Sequence, residues 1–223
     1  MSIEDKYGGG AMYWDNRYIN NPESFDWYQS YEGLKTIINE QTTHTDNILM
    51  VGCGNSLLSE DMANDGYKTI LNCDISSVVI EQCKERFSSN KALTYEVQNI
   101  LQTDYKDSQF DAVIDKGTFD TIMCGDNSQM NAIKMCREIY RILKPGGVYI
   151  MISYGRPKDR TYYIEFCNWE IILEPGEIPK SSNTHYIYIC RLGQMKMIYP
   201  ALLESQFKDD DLDSDDSEED TSD

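Results

Sequence analysis

The feature that most constrains the 223-residue chain is a rhythm. Short apolar runs alternate with stretches whose apolar residues recur at helical spacing. The runs are NILMV (47–51), KTILNCD (68–74), ALTYEVQ (92–98), FDAVIDK (110–116) and VYIMIS (148–153). Helical patterns occupy 30–41, 56–65, 76–89 and 131–144. Gly66 suits the C-terminal stop of the second pattern, Ser76 the N-cap of the third, and PGG (145–147) the end of the fourth. Such alternation predicts a parallel sheet covered by helices on both faces. Two more strand candidates, 168–174 and 185–192, follow with no strong helix between them. They fit an antiparallel hairpin at one sheet edge. The expected class is therefore α/β, a Rossmann-like seven-stranded and mostly parallel sheet with an antiparallel edge hairpin.

Composition bounds what this fold serves. Hydrophobic residues make up 40%, with 16 tyrosines and 3 tryptophans, enough for one well-cored domain. The net charge of −18 is uneven, because residues 209–223 hold ten acids and no base. Without them 28 acids face 20 Lys and Arg, so the body is near −8. The expected organisation is a body at 1–208 and a disordered acidic tail at 209–223, solvating by default. The tail's sharper reading is a lure for a basic partner, deepened by phosphorylation at Ser214, Ser217 or Thr221. No basic stripe favours direct nucleic-acid binding. The seven cysteines form no C-x-x-C pair, which argues against a zinc site and for reduced thiols in the cytosol or nucleus. No run approaches the roughly 20 apolar residues of a membrane span, and MSIEDKYGGG does not read as a signal peptide.

In open α/β sheets a ligand sits at the carboxyl ends of the strands, where the strand order reverses. The first such loop is VGCGNS (51–56), whose glycines permit a sharp turn and close backbone approach. A dinucleotide fingerprint needs a third glycine where Leu57 stands, and there is no P-loop. The second strand ends at Asp74, 20 residues after Gly54, where an acid can accept hydrogen bonds from both hydroxyls of a ribose. Ile75 would pack near the base. The third loop offers Asn99 and Ile100 to the base, and the fourth strand runs out through DKGTFD (115–120), where the reacting end of the ligand is expected. His44 and His185 read as surface or core residues.

Across roughly residues 7–200 the chain resembles the seven-strand S-adenosylmethionine-dependent methyltransferases. More closely it resembles the branch containing the lysine methyltransferases of translation elongation factor 1-alpha. The matching pieces are YWDNRY (13–18), FDWY (25–28), VGCGNS (51–56), CDISSVVI (73–80), DKGTFD (115–120) and ILKPGG (142–147). The superfamily's usual acid two residues before the first glycine is Met50 here, a departure shared by the branch with GCGNS. The resemblance implies an N-terminal segment, 1–45, folded over S-adenosylmethionine, with Trp14, Tyr18 and Trp27 walling its pocket. It places Gly52 and Gly54 at the methionine portion, Asp74 and Ile75 at ribose and adenine, and Asn99 and Ile100 at adenine. Lys116 would line the pocket through its backbone. Read without the resemblance, the aromatics are ordinary core.

A lysine acceptor must lose its proton before it attacks. Asp115 and Asp120 are the candidate carboxylates that guide its ammonium at the pocket mouth. The expected protein is thus a monomeric, cytoplasmic protein-lysine N-methyltransferase acting on a basic substrate such as elongation factor 1-alpha. The alternatives are a small-molecule methyltransferase and an inactive methyltransferase-fold subunit of a complex.

Overall fold

A computed structural model describes residues 7–175 and 185–193. The acidic stretch 209–223, its three phosphorylation candidates and the boundary at 208 lie outside the described residues. The chain runs α1 (Gly10–Asn20), α2 (Tyr31–Gln41), β1 (Asn47–Val51), α3 (Leu58–Asn64), β2 (Thr69–Asp74), α4 (Ser77–Arg86) and β3 (Leu93–Val97). It continues through β4 (Phe110–Lys116), α5 (Thr118–Met123), α6 (Ser128–Ile142), β5 (Leu143–Ser153), α7 (Pro157–Ile164), β6 (Trp169–Pro175) and β7 (Tyr186–Leu192).

The seven strands form one sheet in the order β3-β2-β1-β4-β5-β7-β6. Strands β1 to β5 pair in parallel, whereas β7 pairs antiparallel with both β5 and β6. The hairpin is thus at the edge, with its second strand inserted against β5. Strand order reverses between β1 and β4, so a crevice opens at the carboxyl ends there.

The alternation of side chains along β1 builds both cores at once. Ile48 and Met50 face a core with Leu34, Ile38, Met62 and Ile80. Leu49 and Val51 face a second core with Ala132, Cys136, Ile139 and Tyr149. Each fully buried aliphatic side chain contributes about 1.5–3 kcal/mol, so a strand buried on both faces cannot slip register without losing both cores. All seven cysteines are free thiols, and only Cys124 is exposed. Among the described residues no helix is long and apolar enough to cross a membrane.

Three helices depart from the sequence reading. α7 lies between β5 and β6, where no strong helix was expected; it starts on Pro157 and buries only Arg160 and Ile164. α5 follows β4 directly, and α1 forms from the aromatic stretch of the N-terminal segment. PGG (145–147) does not separate helix from strand. α6 stops at Ile142 and β5 begins at Leu143, crossing the PGG with a register shift opposite Phe110/Ala112.

Candidate active site

The turn after β1 sets the floor of the site. Gly52 and Gly54 adopt φ of +56° and +51°, a left-handed region that L side chains rarely occupy. Space forbids a side chain as well. A Cβ at Gly52 would lie 2.0 Å from Thr118 Oγ1, and one at Gly54 would lie 2.7 Å from Tyr18 Oη. The turn hands off to β2 through Cys53 N–H, which donates to Cys73 O at 3.0 Å.

Asp74 ends β2 with its carboxylate facing this turn. Its Oδ2 accepts from Gly54 N and its Oδ1 from Ser76 N, both at 2.9 Å. A carboxylate has about four lone-pair positions, so acceptor capacity remains toward the cleft that Asp74 lines. Burial pushes its pKa up to about 6, although the amides of Ser76, Gly54 and Ile75 pull it down. Ser76 caps α4 by accepting from Val79 N and donates to Asp15 of α1 at 2.6 Å. The first helix is thereby pinned to the β2–α4 corner.

A cleft of about 250 Å³ opens above these groups. Gly52, Gly54, Asp74, Ile75, Asn99 and Ile100 line it on the sheet side. Trp14, Tyr18 and Trp27 line it from the N-terminal segment, and Lys116 lines it at the end of β4. The ten residues expected to hold a cofactor thus meet around one cavity. Trp14 stacks on Tyr18 at 5.8 Å, and the Arg17 guanidinium lies 5.9 Å from both the Trp14 and Trp27 ring centres.

The segment between α1 and α2 is a strap across the cleft, and three sequence motifs fasten it. Asn55 donates to the carbonyls of Asn21 and Glu23, and Ser56 to the Asp26 carboxylate. The Lys116 ammonium donates to Asp26 Oδ1 at 2.8 Å and to Trp27 O at 3.2 Å. Only 5% of the Lys116 side chain and 20% of the Asp26 side chain is exposed. Burial lowers the Lys116 pKa, and Asp26 opposes that shift. Lys116 thus meets the strap through its ammonium, a role that backbone lining alone did not foresee. Gln29 contacts His185, and Tyr28 donates to Asp120 at 2.7 Å. GCGNS, FDWY and DKGTFD therefore belong to one device. No sequence signal joins Asp26 to Lys116, because they are 90 residues apart.

The structure does not bring Asp115 and Asp120 to the cleft lining. Asp115 is fully buried and accepts from Thr118 N at 2.7 Å, Phe119 N at 3.1 Å and Tyr149 Oη at 3.0 Å. It holds the start of α5, and burial followed by the charge of Asp120 pushes its pKa up to about 7. Asp120 accepts from four donors: Tyr28 Oη, Tyr154 N, Ser153 Oγ and Arg160 Nη2. Neither carboxylate stands free to guide a substrate, because its lone pairs are engaged inside the protein.

Comparison with known proteins agrees with this geometry. A family model described as "Methyltransferase domain" matches residues 49–151. The fold is shared with a S-adenosylmethionine-dependent methyltransferase from Methanosarcina mazei, at TM-score 0.59 and 17% identity, covering 77% of this chain and 100% of that one. It is shared also with a chain solved in work on echinomycin biosynthesis, at TM-score 0.65 and 18% identity, covering 82% and 93%. The chain therefore carries a methyltransferase domain of the S-adenosylmethionine-dependent class.

Within that class it is similar to enzymes named for elongation factor 1A. It is 34% identical over 152 residues to the "eEF1A lysine and N-terminal methyltransferase" of Bos taurus, covering 66% of this chain and 22% of that protein. The Xenopus laevis counterpart is 37% identical over 148 residues, covering 65% and 21%. The "EEF1A lysine methyltransferase 4" of Mus musculus is 25% identical over 206 residues, covering 88% and 80%. The chain thus spans about a fifth of the length of the first group of relatives, and most of the length of the last.

Proposed function

We propose that this protein is a lysine N-methyltransferase that transfers a methyl group from S-adenosylmethionine to a lysine of translation elongation factor 1-alpha in the cytoplasm. The observation that carries the reading is Asp74, a buried carboxylate with spare acceptor capacity on a cleft whose Gly-x-Gly floor has no room for side chains. The names of the relatives support the acceptor.

The residues present fit the cofactor. Asp74 would accept from the two ribose hydroxyls with the lone pairs its backbone partners leave free. Gly52 and Gly54 would let the backbone approach the amino-acid portion. Ile75 and Ile100 would flank the base, with Asn99 at its edge. When bound, S-adenosylmethionine supplies a methyl on a positively charged sulfur; the acceptor's nitrogen lone pair displaces it, the carbon–sulfur pair stays on sulfur, and one N–H proton leaves to solvent.

The chain's own contribution is positioning and exclusion of water. Trp14 and Trp27 wall the cleft with aromatic faces, which attract a cation and keep solvent out. Lysine has an unperturbed pKa of about 10.4, so it reaches the site as ammonium. An apolar, aromatic entrance disfavours that charged form and promotes proton loss. The strap fixes these walls through Asp26, Tyr28 and Gln29.

Calorimetric titration with S-adenosylmethionine, followed by transfer of radiolabelled methyl to purified elongation factor 1-alpha, tests this function. The expected result is binding, with label in the elongation factor that a single Lys→Arg change in that factor removes. A flat titration overturns the enzyme reading. Label confined to small molecules overturns the acceptor.

A further inference from the structure

We propose that the Tyr28 hydroxyl holds the acceptor amine, reaching it through the space left open by Gly117. The inference rests on the methyltransferase reading above and adds a residue that contacts the acceptor nitrogen.

Position is the first argument. Gly117 lines the cleft just beyond β4, across β1 from Asp74. Its φ is +93°, and a Cβ there would lie 3.5 Å from Tyr28 Cε2 and 3.8 Å from Tyr28 Oη. The volume a side chain would fill is therefore within contact distance of the hydroxyl. With the nucleoside end assigned to Asp74, Ile75 and Asn99, the β4 side of the cleft is where methyl transfer takes place.

Orientation is the second argument. Tyr28 donates its proton to Asp120 Oδ2 at 2.7 Å, so its oxygen presents acceptor lone pairs. Asp120 cannot swing away, because Ser153 Oγ at 2.5 Å, Arg160 Nη2 at 2.8 Å and Tyr154 N at 3.1 Å also bind it. Burial and the charge of Asp120 raise the Tyr28 pKa, which keeps the hydroxyl protonated. His185 stacks on the Tyr28 ring at 5.8 Å and 18°, setting its tilt. Tyr28 itself holds φ +63°, a left-handed backbone that a bulky residue adopts only when its surroundings impose it.

The chemistry follows from this arrangement. A neutral lysine amine has two N–H donors and one lone pair. Donating one N–H to a fixed oxygen turns the lone pair toward the methyl carbon. The same oxygen dipole stabilises the positive charge that grows on nitrogen as the bond forms. Tyr28 takes no proton, since its own hydrogen bond to Asp120 is retained throughout.

Ligand binding tests this without any protein substrate. Sinefungin carries an amine-bearing carbon in place of the methylated sulfur, so its amine occupies the transferring position. S-adenosylhomocysteine has nothing there. By calorimetry the wild type binds sinefungin more tightly than S-adenosylhomocysteine. Tyr28→Phe reduces that preference about tenfold or more, the loss of one hydrogen bond to a charged group, and leaves S-adenosylhomocysteine affinity within about twofold. An unchanged preference overturns the inference and spares the methyltransferase reading. Loss of both ligands in Tyr28→Phe shows that the residue acts only by fastening the strap, and also overturns it. Failure of the wild type to bind S-adenosylhomocysteine removes both. A crystal of the wild type with sinefungin gives an independent measurement: an amine-to-Oη separation of about 2.7–3.2 Å supports the assignment, and one beyond about 4 Å rejects it.

Discussion

The two halves of the sheet's carboxyl edge use their acids in opposite ways. On the β2 side, Asp74 receives two hydrogen bonds of 2.9 Å from neighbouring amides and faces an open cleft. On the β4 side, Asp115 receives three donors and Asp120 four, all from the protein itself. All three acids follow an apolar run and look alike in the sequence. What separates them is the number of donors the fold supplies against the lone pairs each carboxylate offers. Where donors fall short and a cavity adjoins, the acid is available to a ligand. Where donors fill it, the acid is part of the scaffold.

The sharpest way to break this contrast is Asp120→Ala. It leaves Arg160, whose side chain is only 5% exposed, without its carboxylate. Removing one member of such a buried pair costs about 3–5 kcal/mol, read as a fall in the urea midpoint. The double change Asp120→Ala with Arg160→Met regains part of that loss. A single-variant cost below about 1 kcal/mol would mean that Asp120 is not scaffold. Next in size is Asp74→Ala, which weakens S-adenosylmethionine binding by about 2–3 kcal/mol, or about 30- to 150-fold. Asp115→Asn leaves that affinity within about threefold, and calorimetry on both variants sets them side by side.

Asp26→Ala probes the strap that joins the two halves. With Lys116 and Ser56 released, cofactor dissociation accelerates about tenfold, followed by stopped-flow fluorescence of Trp14 and Trp27. An unchanged rate would make the strap decorative. The smallest effect is that of pH. Asp74 takes up a proton as pH falls through about 6, losing acceptor capacity toward the ribose, so affinity drops by up to about tenfold between pH 7 and 5. The stability of the free protein carries the other sign. Both folded pKa values lie above the unfolded value of about 3.9. The stability each carboxyl contributes is present at acid pH and is lost as pH rises through about 6 for Asp74 and about 7 for Asp115.

Much of the sheet was readable from the chain because β1, β2, β4 and β5 are buried on both faces and so are nearly pure apolar runs. Helices with weak burial were not. α7 buries two residues, and α1 only Tyr18, so neither carries a periodic stripe that competes with its polar surroundings. The cleft residues were found because they cluster in short motifs at strand ends. The fastening of the strap was not, since Asp26–Lys116, Tyr28–Asp120 and Gln29–His185 join positions 90, 92 and 156 residues apart. The same distance explains the misreading of Asp115 and Asp120. Their partners Tyr149, Ser153 and Arg160 come from elements that follow much later in the chain.

Those long separations bear on how the molecule is made. The covering segment emerges from the ribosome first, yet its last fastening, Gln29 to His185, waits for the residue just before the final strand. The nascent chain therefore completes its sheet with the entrance ajar, and the binding chamber seals only once synthesis has delivered β7.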